Sequence, residues 1–212
     1  MRDIADLRQQ YRSTTLLEAD APANPLELFG AWLDEAIRSG LREPTAMTLA
    51  TATSAGVPSA RMVLLKGFDD EGFRFFTNYE SHKAGELEKN PRCALVFYWD
   101  VLERQVRVRG VAQRTSREVS EAYFRRRPRR SRLSALASPQ SAVIPGREVL
   151  EQRVADLDAA YPDQEIPLPE YWGGYCVRPE SVEFWQGRPD RLHDRLLYVR
   201  DDGGYKLSRL AP

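Results

Sequence analysis

Hydrophobic positions take a helical spacing near the start of the chain and a period of two through much of the remainder. Before residue 24 they are sparse: Ile4, Leu7, Tyr11, Leu16 and Leu17 predict a mobile arm, Met1 to Ala23, with a helical tendency. Asn24 is a good N-cap, Pro25 suits the first helical position, and Glu27 completes a start like a capping box. Phe29, Trp32, Leu33, Ala36 and Ile37 follow at helical spacing, and Gly40 is placed to end that helix.

From Thr45 the alternation predicts strands at Ala46 to Thr51, Pro58 to Leu65 and Phe73 to Thr77. The turns between them are Ser54-Ala55-Gly56 and Asp69-Asp70-Glu71-Gly72, so the three strands read as an antiparallel meander. A short helix is expected over Ser81 to Lys89, then strands over Cys93 to Trp99 and Gln105 to Gln113. Thr115 with Glu118 forms a capping box for a helix through Tyr123 and Phe124, which Pro128 stops. A loop-rich stretch leads to a helix after Gly146, and Pro162 to Gly174 is irregular. Strands over Tyr175 to Val177, Val182 to Trp185, Arg191 to Arg200 and Tyr205 to Leu210 complete the chain, with a hairpin turn at Asp201 to Gly204. No repeat or clean linker divides the sequence, so residues 24–212 are expected to form one domain. Hairpin-linked strands with helices between them fit a closed antiparallel barrel with peripheral helices, mainly β within the α+β class. Regular crossover helices are missing, which disfavours a parallel doubly wound sheet.

Composition narrows the function. At 42% hydrophobic, the 212 residues can build a real core, and a net charge of zero gives no whole-molecule attraction to nucleic acid or anionic membrane. No apolar run approaches the ~20 residues of a membrane span, and the polar, acid-bearing start is unlike a signal peptide. Cys93 and Cys176 sit in apolar or aromatic surroundings, which fits buried thiols in a reducing compartment, so the cytoplasm is the default location. Neither His82 nor His193 is near a cysteine in sequence, so a metal site is not expected. There is no Gly-rich nucleotide loop of the common kinds, so a phosphorylated ligand would have to be held by Arg, Lys, Ser and backbone groups.

Four basic stretches could do this, and each also has a plainer reading. Arg61 and Lys66 bracket an apolar strand, as a ligand site or as two solvated strand-end charges. Ser81-His82-Lys83 opens a helix, where free amides favour an anion, or is an ordinary cap. In the run Arg125 to Arg132, Tyr123, Arg127 and Ser131 recur every four residues and would share a face suited to a phosphate monoester if the helix ran through Pro128. The run also reads as a solvated basic patch or a nucleic-acid contact. Finally, if Arg191 to Leu196 is a strand, Arg191, His193 and Arg195 point one way, beside Trp185. That makes either a wall for a planar anion or a solvated strand face.

Several motifs, in order over nearly the whole chain, give a resemblance. They are Arg61 to Lys66, Phe75-Phe76-Thr77-Asn78, Leu102 to Val106, Arg127-Pro128-Arg129 with Ser131, Gln140-Ser141, Pro167-Leu168-Pro169 with Trp172-Gly173-Gly174, Glu183 to Gly187, and Arg191 to Arg195. The chain resembles the pyridoxine/pyridoxamine 5'-phosphate oxidases, FMN enzymes of the split-barrel flavin fold. The resemblance implies a homodimer with an FMN site built from both subunits. Arg61, Met62, Val63, Leu64, Leu65, Lys66, Phe76, Thr77, His82, Lys83, Gln105, Gln140, Ser141, Trp185 and Arg195 would bind FMN. Lys66, Tyr123, Arg127 and Ser131 would hold the substrate phosphate, Arg191 and His193 would stand over the substrate ring as catalytic residues, and Arg8 and Tyr11 of the arm would cover the site.

The implied reaction oxidises pyridoxamine or pyridoxine 5'-phosphate to pyridoxal 5'-phosphate, with O2 as acceptor. Two residues depart from the family pattern: His82 stands where an Arg is common, and Glu43 where an Asp is. The competing readings are an FMN oxidase of the phenazine-pathway type, which should differ at the phosphate clamp, and a non-catalytic flavin- or pyridoxal-phosphate-binding protein, which would not need the Arg191 and His193 pair.

Overall fold

The computed structural model describes residue 11, residues 14–162 and residues 164–212. Among the described residues, nine antiparallel strands form one curled sheet with five α-helices around it. In chain order these are α1 (Pro25–Arg38), β1 (Ala46–Ala52), β2 (Pro58–Leu64), β3 (Gly67–Asp69), β4 (Gly72–Asn78), α2 (His82–Lys89), β5 (Arg92–Trp99) and β6 (Arg104–Arg114). Then come α3 (Arg117–Arg126), α4 (Arg129–Ala137), α5 (Arg147–Ala160), β7 (Trp172–Gln186), β8 (Asp194–Asp201) and β9 (Gly204–Arg209). The main path runs β2-β1-β5-β6-β7-β4-β3. Its two end strands, β2 and β3, are consecutive in the chain. The Lys66 N–H donates to the Arg74 carbonyl beside the joint, so the sheet curls back on itself.

The sheet splits at β7. Its first half pairs with β4 and its second half with β8, while β6 runs along most of it on the other side. The branch coincides with a register shift at Arg109/Gly110. A Cβ on Gly110 would lie 2.1 Å from the Arg178 carbonyl oxygen, so this crossing needs the one residue without a side chain.

The inner face and α1 enclose the core. Phe29 of α1 is fully buried, with edge-on contacts to Phe68 and Phe73 at 4.9 Å and a tilted contact to Phe97 at 5.0 Å. A smaller cluster of Phe124, Leu133, Ile166 and Trp172 seats α3 and α4 beside β7. Among the described residues no helix is long and apolar enough to cross a membrane. Both cysteines are free; Cys93 is buried and Cys176 half-buried.

Several local expectations change. The stretch after Pro128 is not loop-rich, because α4 begins at Arg129. Ser116, not Thr115, caps α3, accepting the Val119 N–H, since Thr115 still belongs to the sheet edge through its N–H to the Gly174 carbonyl. The two short strands expected at Tyr175 and Val182 are one strand, because the Arg178-Pro179-Glu180 interval stays extended against β6. Arg191 is not in a strand. Pro189–Arg191 is a 3-10 turn, Asp190 and Arg191 have φ of 56° and 62°, and β8 starts at Asp194.

Most of the expected arm lies outside the described residues. The part from Leu16 onward is tied down rather than free. Leu16 is buried and its N–H donates to Asp194, Arg209 pairs with Glu18, and the Tyr198 hydroxyl donates to the Pro22 carbonyl.

Truncating a fully buried phenylalanine in such a core costs about 3–5 kcal/mol. Phe29→Ala should therefore lower unfolding free energy by that amount in urea titrations at fixed protomer concentration, and a loss under 1 kcal/mol would show that α1 does not complete the core.

Candidate active site

A cavity of about 960 Å³ opens between β2, β4, α2, α3 and α4. It gathers most of the basic residues singled out in the sequence: Arg61, Lys66, His82 and Lys83 from the sheet and the start of α2, and Tyr123, Arg127 and Ser131 from α3 and α4. Met62, Val63, Leu64, Phe76, Thr77, Gln140 and Ser141 complete this part of the lining. Leu65 does not line it: its side chain is buried in the core, as the alternation of β2 requires, and its N–H donates to the Thr45 carbonyl.

The cavity is built for an anion. The Lys83 ammonium donates to Thr77 Oγ1 at 3.1 Å, Ser81 Oγ at 3.1 Å and Gln140 Oε1 at 2.8 Å, so none of its three hydrogen bonds goes to a carboxylate. Burial, and then the nearby Arg61 charge, push its pKa down to about 8. The His82 N–H, at the first turn of α2, donates to Ser141 Oγ at 3.3 Å. Ser141 is held at φ 74°, a conformation uncommon outside glycine, which persists only where the surroundings fix it.

At the other end of the cavity Tyr123, Phe76 and Trp172 stack nearly parallel, Tyr123 on Phe76 at 4.1 Å and Phe76 on Trp172 at 5.6 Å. The Arg127 guanidinium lies 4.8 Å from the Trp172 ring centre, and its buried Nη1 has no hydrogen-bond partner. A buried, unpaired guanidinium nitrogen is costly, and a phosphate oxygen is the partner its geometry suits. Pro128 does stop the helix, as expected, so Tyr123, Arg127 and Ser131 do not share one helical face. They meet instead because α3 ends and α4 starts at Pro128, turning both helices toward the same space.

A second group lies elsewhere. Gln105 on β6 is opposite Trp185 on β7, which is opposite Arg195 on β8, so the three form a cross-strand row on the outer face of the sheet. Tyr11, His193 and Trp185 cluster beside it, with ring centres 4.7–5.6 Å apart. Gly187 makes room for this: a Cβ there would be 2.9 Å from the Tyr11 ring. None of Tyr11, Gln105, Trp185, Arg191, His193 and Arg195 lines the cavity. Arg8 lies outside the described residues. The Arg188 N–H donates to His193 Nδ1 at 3.1 Å, so the ring proton sits on Nε2. Burial and the Arg191 charge lower the His193 pKa, which keeps the ring neutral near pH 7. Arg195 is fixed by Glu183 at 2.8 Å and by the Ala211 carbonyl at 2.8 Å.

The family model described as pyridoxamine 5'-phosphate oxidase matches residues 33–160, and the one described as pyridoxine 5'-phosphate oxidase C-terminal dimerisation region matches residues 172–212. The chain belongs to the pyridoxamine 5'-phosphate oxidase family. Curated relatives named pyridoxine/pyridoxamine 5'-phosphate oxidase are 56% identical in Rubrobacter xylanophilus, covering 100% of this chain and 97% of the relative, and 55% identical in Salinibacter ruber, covering 100% of both. Among solved structures, PhzG from Burkholderia lata 383, in complex with tetrahydrophenazine-1-carboxylic acid, superposes with a TM-score of 0.89 at 33% identity, covering 94% of this chain and 99% of that one. A pyridoxamine 5'-phosphate oxidase-related, FMN-binding protein from Nostoc punctiforme superposes at 0.70 and 20% identity, covering 89% and 97%, and shows the shared fold.

As a member of this family the chain uses FMN and forms a homodimer, and its dimerisation region carries Trp185 and Arg195 of the outer row. The cavity's uncompensated Lys83, its constrained Ser141 and the unpaired Arg127 nitrogen fit phosphate-bearing ligands such as FMN and a phosphorylated vitamer. Sequence reasoning missed Glu86, the buried acid beside Arg61, and gave Trp172 no role of its own. A glutamate four residues after His82 could have suggested a partner on the helix, but nothing in the pattern marks it as buried.

A cofactor phosphate held by Lys83 would bind in a pH-dependent way. The free ammonium titrates near 8, and an anion beside it raises that value, so binding takes up a proton at higher pH and affinity falls as pH rises through about 8. The FMN phosphate, with a second pKa of about 6, is already a dianion in that range. The FMN Kd, read by fluorescence quenching, should rise between pH 7.5 and 9.5 in the wild type and stay nearly flat in Lys83→Met; an equal rise in both would remove Lys83 from the cofactor site.

Proposed function

We infer that the protein oxidises pyridoxamine 5'-phosphate and pyridoxine 5'-phosphate to pyridoxal 5'-phosphate, with O2 as acceptor and H2O2 as product, and NH3 released from the amine substrate. The observation that carries this reading is the phosphate clamp: Lys66, Tyr123, Arg127 and Ser131 converge on one cavity, with Arg127 Nη1 buried and unpaired. Relatives named for this activity at 55–56% identity over the full chain support it.

FMN, when bound, supplies a two-electron acceptor for the substrate's CH2–NH2 or CH2–OH carbon and returns the electrons to O2. The chain's own residues do the rest. Arg61, Lys83, Gln140 and Ser141 anchor the cofactor phosphate, and Lys66, Tyr123, Arg127 and Ser131 hold the substrate phosphate at a fixed distance, so the reacting carbon is positioned rather than activated. The outer row Gln105, Trp185 and Arg195 completes the cofactor site from the second subunit, with FMN at the interface. Arg191 and His193, which lie beside the outer row and not in this protomer's cavity, would reach the substrate ring from the second subunit. There Nε2–H of neutral His193 could donate a hydrogen bond and the Arg191 charge would favour developing negative charge. Tyr11, packed on Trp185 and His193, closes the site from the arm, and residues 24–212 act as one catalytic domain. The two free cysteines fit a cytoplasmic enzyme.

A phenazine-type oxidation is the second reading, favoured by the superposition on PhzG. The phosphate clamp counts against it, because four converging groups, Lys66, Tyr123, Arg127 and Ser131, suit the three oxygens of a phosphate monoester better than the single carboxylate of a tricyclic acid. Anaerobic mixing with pyridoxamine 5'-phosphate should bleach the bound flavin in a single turnover; a flavin that stays oxidised would overturn the reading. Arg127→Ala should raise KM for the phosphorylated substrate about tenfold to a hundredfold, from ~1.5–3 kcal/mol for a charge-assisted contact. FMN content should be retained, and an unchanged KM would assign the clamp to another ligand.

A further inference from the structure

Behind the cavity wall lies one buried acid that the proposed reaction does not use. Glu86 of α2 is 4% exposed at its side chain, yet it stands beside the cations that would meet the cofactor phosphate. Its Oε1 accepts the Ser59 hydroxyl at 2.6 Å, and its Oε2 accepts the Thr51 hydroxyl and Arg61 Nη2, the latter at 3.2 Å. His82 Nδ1 lies 3.7 Å from Oε1 on the solvent side. Arg61 is held on its other branch too: Nη1 donates to the Leu49 carbonyl at 3.1 Å and to Thr51 Oγ1.

This arrangement runs against simple electrostatics. A carboxylate next to an anion site repels the anion, and at a distance of a few ångströms inside a protein the effect is substantial. Burial by itself would raise the Glu86 pKa, but the Ser59 and Thr51 hydroxyls, together with the His82 and Arg61 charges, outweigh it and hold the carboxyl below its ordinary value. The negative charge is thus built in. What it accomplishes is geometric. Arg61 and Lys83 are close enough for the Arg61 charge to depress the Lys83 pKa, so the two cations repel, and the Glu86 carboxylate offsets that repulsion from behind the guanidinium. Bonded to Glu86, Thr51 and Leu49, it stays in the cavity wall with its remaining N–H groups free for a ligand.

We propose that Glu86 is a positioning residue for the cofactor phosphate: it gives up part of the site's positive charge in order to fix the Arg61 guanidinium beside Lys83. The proposal rests on the reading of this cavity as the FMN site. Charge and orientation predict opposite signs. If the carboxylate matters only as a charge, Glu86→Gln tightens FMN binding. If it orients Arg61, Glu86→Gln weakens it, because the neutral amide offers one acceptor oxygen where the carboxylate serves Ser59, Thr51 and Arg61 with two.

The test is bound flavin in holoenzyme dialysed against a series of free FMN concentrations. Glu86→Gln should raise the FMN Kd about tenfold or more, the scale of one lost charged hydrogen bond. In an Arg61→Ala background the same change should not weaken binding further, since there is no guanidinium left to orient. Ser59→Ala removes one support of the carboxylate with little risk to folding, and should weaken binding in the same direction by less. Tighter or unchanged binding in Glu86→Gln, or an equal loss with and without Arg61, overturns the proposal. If Arg61→Ala and Lys83→Ala both bind FMN as the wild type does, the cofactor reading of the cavity fails instead.

Discussion

The fifteen-residue strand β7 bonds to β6 on one side and, on the other, first to β4 and then to β8. That change of partner is the constraint from which the architecture follows. The β4 half closes the curl around Phe29 and the core, whereas the β8 half carries β9 and the C-terminal residues outward. Both partners can be served only if β6 shifts register opposite the branch, and Gly110 permits the shift because any side chain there would meet the Arg178 carbonyl. The ends of β7 then point to different duties. Trp172, at its start, stacks with Phe76 and lies under Arg127 in the cavity, and Trp185, near its end, sits on the outer face between Gln105 and Arg195.

The charge arrangement within the cavity answers a different demand. Arg61, Lys66, His82, Lys83, Arg126 and Arg127 line one space, and folding brings them together before any ligand is present. Two means keep the assembly stable. Neutral oxygens from Thr77, Ser81 and Gln140 solvate the Lys83 ammonium without cancelling it, and one buried carboxylate, Glu86, ties down Arg61. The aromatic stack serves Arg127 in the same way, offering a ring face instead of a counter-ion. The positive charge that remains is what an incoming phosphate meets, already oriented.

Much of this was legible in the sequence, for identifiable reasons. Period-two alternation and turn residues place β1, β2, β4, β5 and β6 to within a residue or two, because each buries one face. Asn24 and Pro25 locate the start of α1, where the cap accepts the Leu26 N–H. α4 was missed because its start, Arg-Arg-Ser-Arg, shows no apolar period and Pro128 signals only a stop. The face shared by Arg191, His193 and Arg195 assumed a strand that the chain replaces by a 3-10 turn, with left-handed φ at Asp190 and Arg191 that no pattern of hydrophobicity encodes. Site residues were legible as motifs, but their division into two groups on different surfaces was not. That division depends on which strands become neighbours, and alternation is silent about pairing order.

The division is also what makes association part of the chemistry. Fully extended, a strand covers roughly 40 Å between Trp172 and Trp185 at about 3.3 Å per residue. Around the sheet, β2 with Leu64 at the cavity edge and β7 with Trp185 are four strands apart by way of β1, β5 and β6. None of the outer-row residues lines the cavity, so on the proposed reading the row serves the cavity of the second subunit. The outer face meanwhile leaves Met62, Leu64, Tyr98 and Val199 exposed, with small Ala50, Ala60 and Ala94 between them, an apolar surface that an isolated subunit would present to water. On the proposed reading, a twofold dimer would bury this surface on both subunits and carry the outer row of one to the cavity of the other. On that reading, covering the apolar face and completing the cofactor site are one event, and a protomer that lost its partner would expose that face and lose the outer-row contacts to its cofactor together.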